Sequence, residues 1–169
     1  MAEYAPMSTP FDDLTTEQAL AVLVECLDVP RFVEEVLAGR PYASAEHVRE
    51  AASRSAGTLD DVELERALAR HPRIGERAQA GRHDAAHSAR EQSGVDHDDE
   101  DLAARLLAGN RAYEERFDRV FLIRAAGRSG PEILAELERR LGNDEATERA
   151  ETVDQLRQIA LVRLEPHLA

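Results

Sequence analysis

Apolar residues recur at intervals of three and four positions along most of the chain, which is the spacing of one face of an α-helix. The pattern is clearest over residues 16–27, 59–68, 102–117 and 144–164. We find no strand-like alternation of apolar and polar residues and no internal repeat. The pattern therefore predicts an all-α fold, a single-domain helical bundle of about seven to nine helices.

Prolines and capping residues suggest where the domain and its helices begin. Residues 1–10 contain two prolines and little apolar pattern, so we expect a flexible N-terminal arm there and one helical domain over residues 11–169. Ser129 and Glu132 are spaced as a capping box, and Thr58 with Asp61 resembles another. Among the apolar residues that we expect to face the core are Leu20, Val62 and Val162.

One apolar run does not fit the helical pattern. Val120-Phe121-Leu122-Ile123 places four large apolar residues in succession, where an amphipathic helix would alternate faces. Such a run is either wholly buried or locally extended.

Composition and charge restrict the class of partner. Of 169 residues, 43% are hydrophobic but only 4% aromatic, so the core consists mainly of aliphatic side chains. The formal net charge of −13 argues against nucleic acid and against an anionic membrane surface, whose phosphates would be repelled. With no leader and no long apolar run, we expect a soluble cytoplasmic protein. The single cysteine, Cys26, allows no internal disulfide, and its apolar neighbours predict a buried thiol.

His71 is the first candidate for chemistry because it stands directly before Pro72. A helix that approaches Arg70 must end there, since the proline ring excludes the helical conformation from the preceding residue. The imidazole would lie near unpaired carbonyls at the negative end of the helix dipole, which favours a protonated ring. A histidine that merely ends a helix and bonds its last carbonyls explains the same position.

A second polar group follows at helical spacing. Ser88, Glu91 and Gln92 are spaced i, i+3, i+4, so a helix would place all three side chains on one face. Together with His71 they would supply an acid–base pair with hydrogen-bonding neighbours. As single residues, Ser88 and Gln92 are equally well explained as solvated positions on a helix.

A metal site is the rival interpretation of this region. His83 and His87 are spaced i, i+4, with further histidine and carboxylate residues (Asp84, His97 and Asp98) nearby. No His-Glu-x-x-His motif is present and no third ligand is fixed by spacing. Solvated histidines on a polar helix face explain the pattern as well, so we predict no metal.

Several short motifs, in order, resemble those of one enzyme family. They are His71-Pro72-Arg73-Ile74-Gly75, Ser88-x-x-Glu91-Gln92, Asn110-x-x-Tyr113-x-x-Arg116-Phe117, Glu132-Ile133-Leu134, Arg139-Arg140-Leu141-x-Asn143 and Ile159-x-x-x-Arg163-Leu164. In this order and at these spacings they resemble 2-oxo-4-hydroxy-4-carboxy-5-ureidoimidazoline (OHCU) decarboxylase, from about Phe11 to Leu168. The resemblance implies an all-helical enzyme without a cofactor. It would convert the last unstable intermediate of urate oxidation to (S)-allantoin and carbon dioxide.

The resemblance also implies a set of site residues. The catalytic pair would be His71 and Glu91. The substrate contacts would be Pro72, Ser88, Gln92 and Arg163, with main-chain groups of Phe121, Leu122, Ile123, Arg124 and Ala125. Taken alone, Arg163 is also explained as a structural ion-pair partner, and Phe121 to Ile123 as core.

Two stretches depart from the family pattern. Many relatives have Gly-Phe-Pro after the Arg-Phe pair, where this chain has Asp118-Arg119-Val120. We expect this stretch to form one wall of the pocket. The first helix commonly carries two cysteines and a tryptophan, where this chain has Cys26 and Phe32. We expect these two to be changes in the core.

The expected chemistry explains why such groups would be needed. When the bond to the carboxylate breaks, the substrate's own ring accepts the electron pair, so no cofactor is required as a sink. His71 would handle the substrate hydroxyl or the proton of the new C–H bond, with Glu91 orienting it or sharing its proton. Arg163, Ser88, Gln92 and main-chain N–H groups near Ile123 would bind the carboxylate and ring carbonyls.

Two classes of function remain open at this point. One is a cofactor-free lyase that acts on a small ureidoimidazoline, and the other is a catalytically silent acidic helical module that binds a basic partner. The joint presence of His71, Ser88, Glu91, Gln92 and Arg163 favours the enzyme, since a binding module needs none of them as a set. A homodimer would require an exposed apolar strip, which the sequence does not locate.

Overall fold

The computed structural model describes residues 8–74 and 100–169, and these two ranges contain eight α-helices and no strand. The predicted all-α class is confirmed. In chain order the helices are α1 (Pro10–Asp13), α2 (Thr16–Cys26), α3 (Pro30–Ala38), α4 (Ala45–Ala56), α5 (Asp61–Leu68), α6 (Glu100–Phe117), α7 (Gly130–Arg140) and α8 (Glu145–Leu164), and a 3₁₀ turn (Glu165–His167) follows α8. No helix in these ranges is both long enough and apolar enough to cross a lipid bilayer.

Polar side chains at the N-termini determine where the helices begin. The predicted capping box of Ser129 and Glu132 is confirmed at the start of α7. At α5 the predicted box is wrong, because the capping residue is Asp60, which accepts from the N–H of Glu63 at 2.8 Å. The Thr58 hydroxyl is engaged elsewhere, since it donates to carbonyl oxygens at the end of α4.

Two groups of buried side chains hold the helices together. The first core lies among α2, α3, α4, α5 and α8 and includes Leu23, Phe32, Val48, Leu68, Leu122 and Leu156. The second core lies between α6 and α7 and includes Ile74, Leu106, Tyr113, Phe121, Ile123 and Leu137. Cys26 is only 2% exposed, so the predicted buried thiol is confirmed.

Within the run 120–123, Phe121, Leu122 and Ile123 are buried and Val120 is half-buried, and the run is not helical, as the break in the helical pattern predicted. Leu122 belongs to the first core, whereas Phe121, Ile123 and Ala125 belong to the second. The segment 121–125 therefore lies between the two cores and contributes side chains to both.

Three apolar residues that we expected in the core are exposed. Val62 is 75% exposed, Leu20 45% and Val162 41%. Successive helical residues are rotated by about 100°, so a residue two positions from a buried one points roughly the opposite way. Val62 precedes buried Leu64 by two positions, and Val162 precedes buried Leu164 by two.

Asp118, directly after α6, has a left-handed backbone with φ of 51°. A residue at this position usually is glycine, because a Cβ atom is unfavourable there, although Asp tolerates it better than most. Asp118→Gly is expected to leave the free energy of unfolding unchanged or raise it by up to about 1 kcal/mol. Asp118→Val is expected to lower it by about 1–2 kcal/mol, because a β-branched side chain is least tolerated there. Chemical denaturation of both variants measures the difference, and equal stabilities would contradict a left-handed residue 118.

Candidate functional site

His71 lies just beyond the end of α5, in a segment without regular structure. Its N–H donates to the carbonyl of Leu68 at 3.0 Å, in a turn that ends the helix before Pro72 as predicted. Pro72 is buried and His71 half-buried. The histidine is therefore at the end of a helix that is itself fixed in the first core.

The residues before His71 are tied to the loop after α2. Arg70 donates to the Asp28 carboxylate at 2.7 Å, and Arg66 donates to the same carboxylate at 3.0 Å. Burial alone would raise the pKa of Asp28, but the hydrogen bonds and charges of the two arginines outweigh it and hold that pKa below its ordinary value. Asp28 is therefore an ionised anchor on one side of His71.

The residues after His71 are tied to α6. Asn110 donates from its side-chain amide to the carbonyl of Ile74 at 3.0 Å, and both residues are buried. One turn later Glu114 accepts two hydrogen bonds from the Arg73 guanidinium. The contact with Arg73 holds the pKa of Glu114 below its ordinary value, against the opposing effect of burial. His71 thus lies in a short segment with anchors on both sides.

A cleft of about 420 Å³ opens beside His71. Its lining residues are Leu68, Ala69, His71, Pro72, Arg73, Glu114, Asp118, Arg119 and Val120. A neighbouring cleft of about 770 Å³ shares Leu68, Ala69 and the stretch 118–120 with it. The stretch where this chain departs from Gly-Phe-Pro therefore forms a wall next to His71. It carries two charged residues, one of which, Arg119, forms an ion pair with Glu145.

The segment 121–125 continues from that wall toward α8. The main-chain N–H of Arg124 donates to the side-chain oxygen of Gln155 at 2.8 Å. Its guanidinium donates to Gln158 at 3.0 Å. The N–H of Arg124 is therefore engaged within the protein, which leaves the main-chain groups on either side of it as the candidates for a ligand.

Arg140 holds the same segment from α7. Its Nη1 donates to the carbonyl of Leu122 at 2.7 Å, and its guanidinium lies 4.7 Å from the centre of the Phe121 ring. Arg140 also pairs with Glu148 on α8, with donor–acceptor distances of 2.9 and 2.5 Å. The two side chains are 1% and 0% exposed. An ion pair buried this completely is costly unless its geometry and hydrogen bonds are nearly complete.

The Glu148 carboxylate has further partners that complete this network. The Tyr113 hydroxyl donates to the same oxygen as Arg140, and the Asn143 amide donates to the other oxygen at 2.9 Å. Burial, with the hydrogen bond to Glu148, raises the pKa of Tyr113 to about 12. The phenol is therefore a neutral donor at neutral pH.

Arg163 is buried near the C-terminus of α8, with 5% of its surface exposed. Its Nη1 donates to the carbonyl of Glu25 at 3.2 Å, three residues before Asp28. Gln155 and Arg163 are eight residues apart on α8, which is a rise of about 12 Å and a rotation of about 80° around the helix axis. The structure thus brings Arg163 to the last turn of α2, just before the loop whose Asp28 anchors Arg70.

The other predicted site residues, Ser88, Glu91 and Gln92, lie outside the described residues. The same holds for the histidines and carboxylates of the rival metal site, His83, Asp84, His87, His97 and Asp98. Their roles stay predictions.

Sequence reasoning missed Asn110, Glu148 and Gln155 as supports of the site. Asn110 and Arg140 were noted only as members of motifs, and their contacts are long-range hydrogen bonds that no local pattern reveals. The available signal was a polar residue on an apolar face: Asn110 lies between Leu106 and Tyr113 on the buried side of α6.

Replacing Asp28 tests the anchor before His71. Asp28→Asn is expected to lower the free energy of unfolding by about 2 kcal/mol at pH 7, because two guanidinium groups lose their anionic partner. Since the folded pKa lies below the unfolded value of about 3.9, this contribution is present above that value and is lost as the pH falls through the folded pKa. Urea denaturation between pH 7 and pH 2.5 should show the two proteins converging at low pH. The exposed Asp61, in Asp61→Asn, is the control with little expected effect, and a pH-independent deficit for Asp28→Asn would contradict the role.

Comparisons with known proteins agree with one another. The family model described as OHCU decarboxylase matches residues 12–165. A 2-oxo-4-hydroxy-4-carboxy-5-ureidoimidazoline decarboxylase of Haloferax volcanii is 27% identical over 136 residues, which are 80% of this chain and 79% of that protein. The enzyme of the same name from Amia calva is 30% identical over 138 residues, again 80% and 79% of the two chains.

Solved structures show the same fold. An OHCU decarboxylase crystallised in the presence of (S)-allantoin has a TM-score of 0.70 at 18% identity, covering 86% of this chain and 96% of that chain. An (S)-allantoin synthase has a TM-score of 0.67 at 14% identity and covers 94% of this chain. This chain spans 52% of the length of the synthase chain. At these identities the likeness is one of fold.

Proposed function

The chain belongs to the OHCU decarboxylase family, and we propose that it converts OHCU to (S)-allantoin and carbon dioxide. The observation that carries this proposal is the family match over residues 12–165, which includes every proposed site residue. The same match favours an enzyme over the catalytically silent binding module. The substrate is a small molecule, and the expected chemistry needs no cofactor.

The reaction begins with cleavage of the bond between the ring carbon and its carboxylate. The electron pair of that bond passes into the adjacent ring system, and carbon dioxide leaves. A proton is then delivered to one face of the neighbouring, ureido-bearing carbon, which sets the S configuration, and the hydroxyl on the decarboxylated carbon loses its proton to become a ring carbonyl. His71 is the proposed acid–base group, with Glu91 as its partner. Its anchored segment supports this role, because a proton donor must keep a fixed position relative to the reacting carbon.

Hydrogen-bond donors with fixed positions bind the anionic substrate. Arg163 is buried and carries a planar set of N–H donors that match a carboxylate. Main-chain N–H groups of the segment 121–125, other than that of Arg124, supply neutral donors for the developing negative charge. Pro72 lines the His71 cleft, whereas Ser88 and Gln92 are proposed from the family resemblance alone.

We further propose a cytoplasmic enzyme, which analytical fractionation of the source cells tests. A homodimer stays a prediction, to be measured by light scattering of the purified protein.

His71 is tested by replacement with asparagine. His71→Asn is expected to lower kcat/KM by about a hundredfold or more, since asparagine keeps a polar side chain but cannot exchange a proton near neutral pH. The substrate is generated in place from urate with the two upstream enzymes, and circular dichroism follows the appearance of (S)-allantoin. The matched control is His167→Asn, at the 3₁₀ turn, with little expected effect.

The same assay gives the results that would contradict the role of His71 or the proposed function. A loss below tenfold in His71→Asn would remove the acid–base assignment while leaving the decarboxylase in place. Slow racemic allantoin with the wild-type protein, at the rate of spontaneous decay, would contradict the proposed function itself and favour the silent binding module.

Arg163 is tested by replacement with lysine. Arg163→Lys keeps the charge but loses the planar fork, so KM is expected to rise about tenfold with a smaller change in kcat. Arg157→Lys is the control, because Arg157 lies on the same helix and pairs with Asp154. If the two variants have equal KM values, Arg163 has only a structural role.

A further inference from the structure

The peptide unit between Leu122 and Ile123 is held on one side only. The Leu122 carbonyl accepts the hydrogen bond from Arg140 at 2.7 Å. This peptide is trans, so the N–H of Ile123 points away from Arg140. The structure gives that N–H no hydrogen-bond partner within the described ranges, although Ile123 is only 3% exposed.

The next peptide unit is held in the same manner. The N–H of Arg124 donates to Gln155 at 2.8 Å, so the carbonyl of Ile123 points away from Gln155. Among the residues that the structure describes, nothing donates to this carbonyl. Both peptide planes that flank Ile123 are thus fixed by side chains from α7 and α8, while the polar main-chain groups of Ile123 itself remain unused.

A buried N–H without a partner is rare in folded proteins and costs free energy. Two anchors that hold such a group without a partner among the described residues therefore suggest that it bonds a ligand acceptor. We propose that Arg140, fixed by Glu148, and Gln155 are positioning residues that present the Ile123 N–H to an oxygen of the substrate. This inference rests on the proposed function, since it takes the substrate to be the carboxylated ureidoimidazoline.

The ion pair with Glu148 gives Arg140 its fixed geometry. Glu148 receives hydrogen bonds from Arg140, Tyr113 and Asn143, so its carboxylate cannot rotate without breaking several contacts. The guanidinium also lies against the Phe121 ring. A lysine has one ammonium group and no planar fork, so it cannot bond Glu148 and the Leu122 carbonyl in the same geometry. Arg140 therefore orients the peptide and does not itself touch the substrate.

Gln155 offers the sharper experiment because a matched control lies three residues away. Gln155 accepts from the main chain of Arg124, whereas Gln158 accepts from its side chain. Gln155→Met is expected to lower kcat/KM about tenfold to a hundredfold, because a displaced donor loses its bond to the developing charge. Gln158→Met is expected to change it less than about threefold, because it leaves the peptide planes unchanged.

Arg140 has its own matched control in the preceding residue. Arg139 forms exposed ion pairs with Glu136 and Glu151 and does not reach Leu122. Arg140→Lys is expected to lose as much activity as Gln155→Met, whereas Arg139→Lys keeps nearly all of it. Val48→Ala, in the first core away from this segment, controls for loss of stability alone. If Arg140→Lys does not fold, the two glutamine variants decide the question.

Amide NMR distinguishes a failure of this inference from a failure of the proposed function. In the ligand-free protein, Arg140→Lys should shift the ¹⁵N resonance of Ile123, because the hydrogen bond to the adjoining carbonyl is lost. Adding (S)-allantoin to the wild type should shift the Ile123 amide proton downfield, and Gln155→Met should weaken that shift. Wild-type protein that turns over OHCU without any response of the Ile123 amide would overturn the inference alone.

The kinetic comparison of each variant with its control gives a second result that would overturn the inference. Equal losses in Gln155→Met and Gln158→Met, or losses that follow thermal stability as in Val48→Ala, would show that these residues only support the fold. A wild type without decarboxylase activity would remove the proposed function, and the ligand-free ¹⁵N shift would still report whether Arg140 orients the peptide.

Discussion

The buried ion pair of Arg140 and Glu148 joins the two cores of this protein. Arg140 lies on α7 and Glu148 on α8, and the guanidinium reaches the carbonyl of Leu122 between them. An apolar pair of similar volume would often stabilise a fold equally well, so burial of charge is weak evidence for a purely stabilising role. This ion pair is distinguished by its geometry, because the planar guanidinium of Arg140 bonds both the Glu148 carboxylate and the Leu122 carbonyl.

Two parts of the proposed site, His71 and the segment 121–125, lie on short segments without regular structure. His71 is held between Asp28 on one side and Asn110 and Glu114 on the other, and the segment 121–125 is held between α7 and α8. Helices position side chains well but engage their own main-chain groups in internal hydrogen bonds. A site that uses main-chain donors therefore needs non-helical segments, and such segments need anchors from the helices around them.

The sequence predicted the helices and the location of His71 better than it predicted these anchors. Periodicity and capping are local properties, so the first residues of α7 and α8 could be predicted from Ser129, Pro131 and Asp144. Arg139 and Arg140 are adjacent and chemically identical, yet one is exposed and the other is buried in an ion pair. Only the packing of α7 against its neighbours separates them, and a single sequence does not contain that information.

Residues 118–120, where this chain departs from the expected Gly-Phe-Pro, form the turn after α6 and part of the wall beside His71. Asp118 adopts a left-handed conformation, which favours glycine, at the position where the family resemblance led us to expect glycine. The following Arg119 pairs with Glu145 and places charge on the wall of the His71 cleft. The anchors of Leu122 and Arg124 lie beyond this turn, on α7 and α8, and do not involve residues 118–120. Residues 118–120 therefore affect the wall of the His71 cleft, while the peptide groups proposed to bind the substrate are supported from other elements.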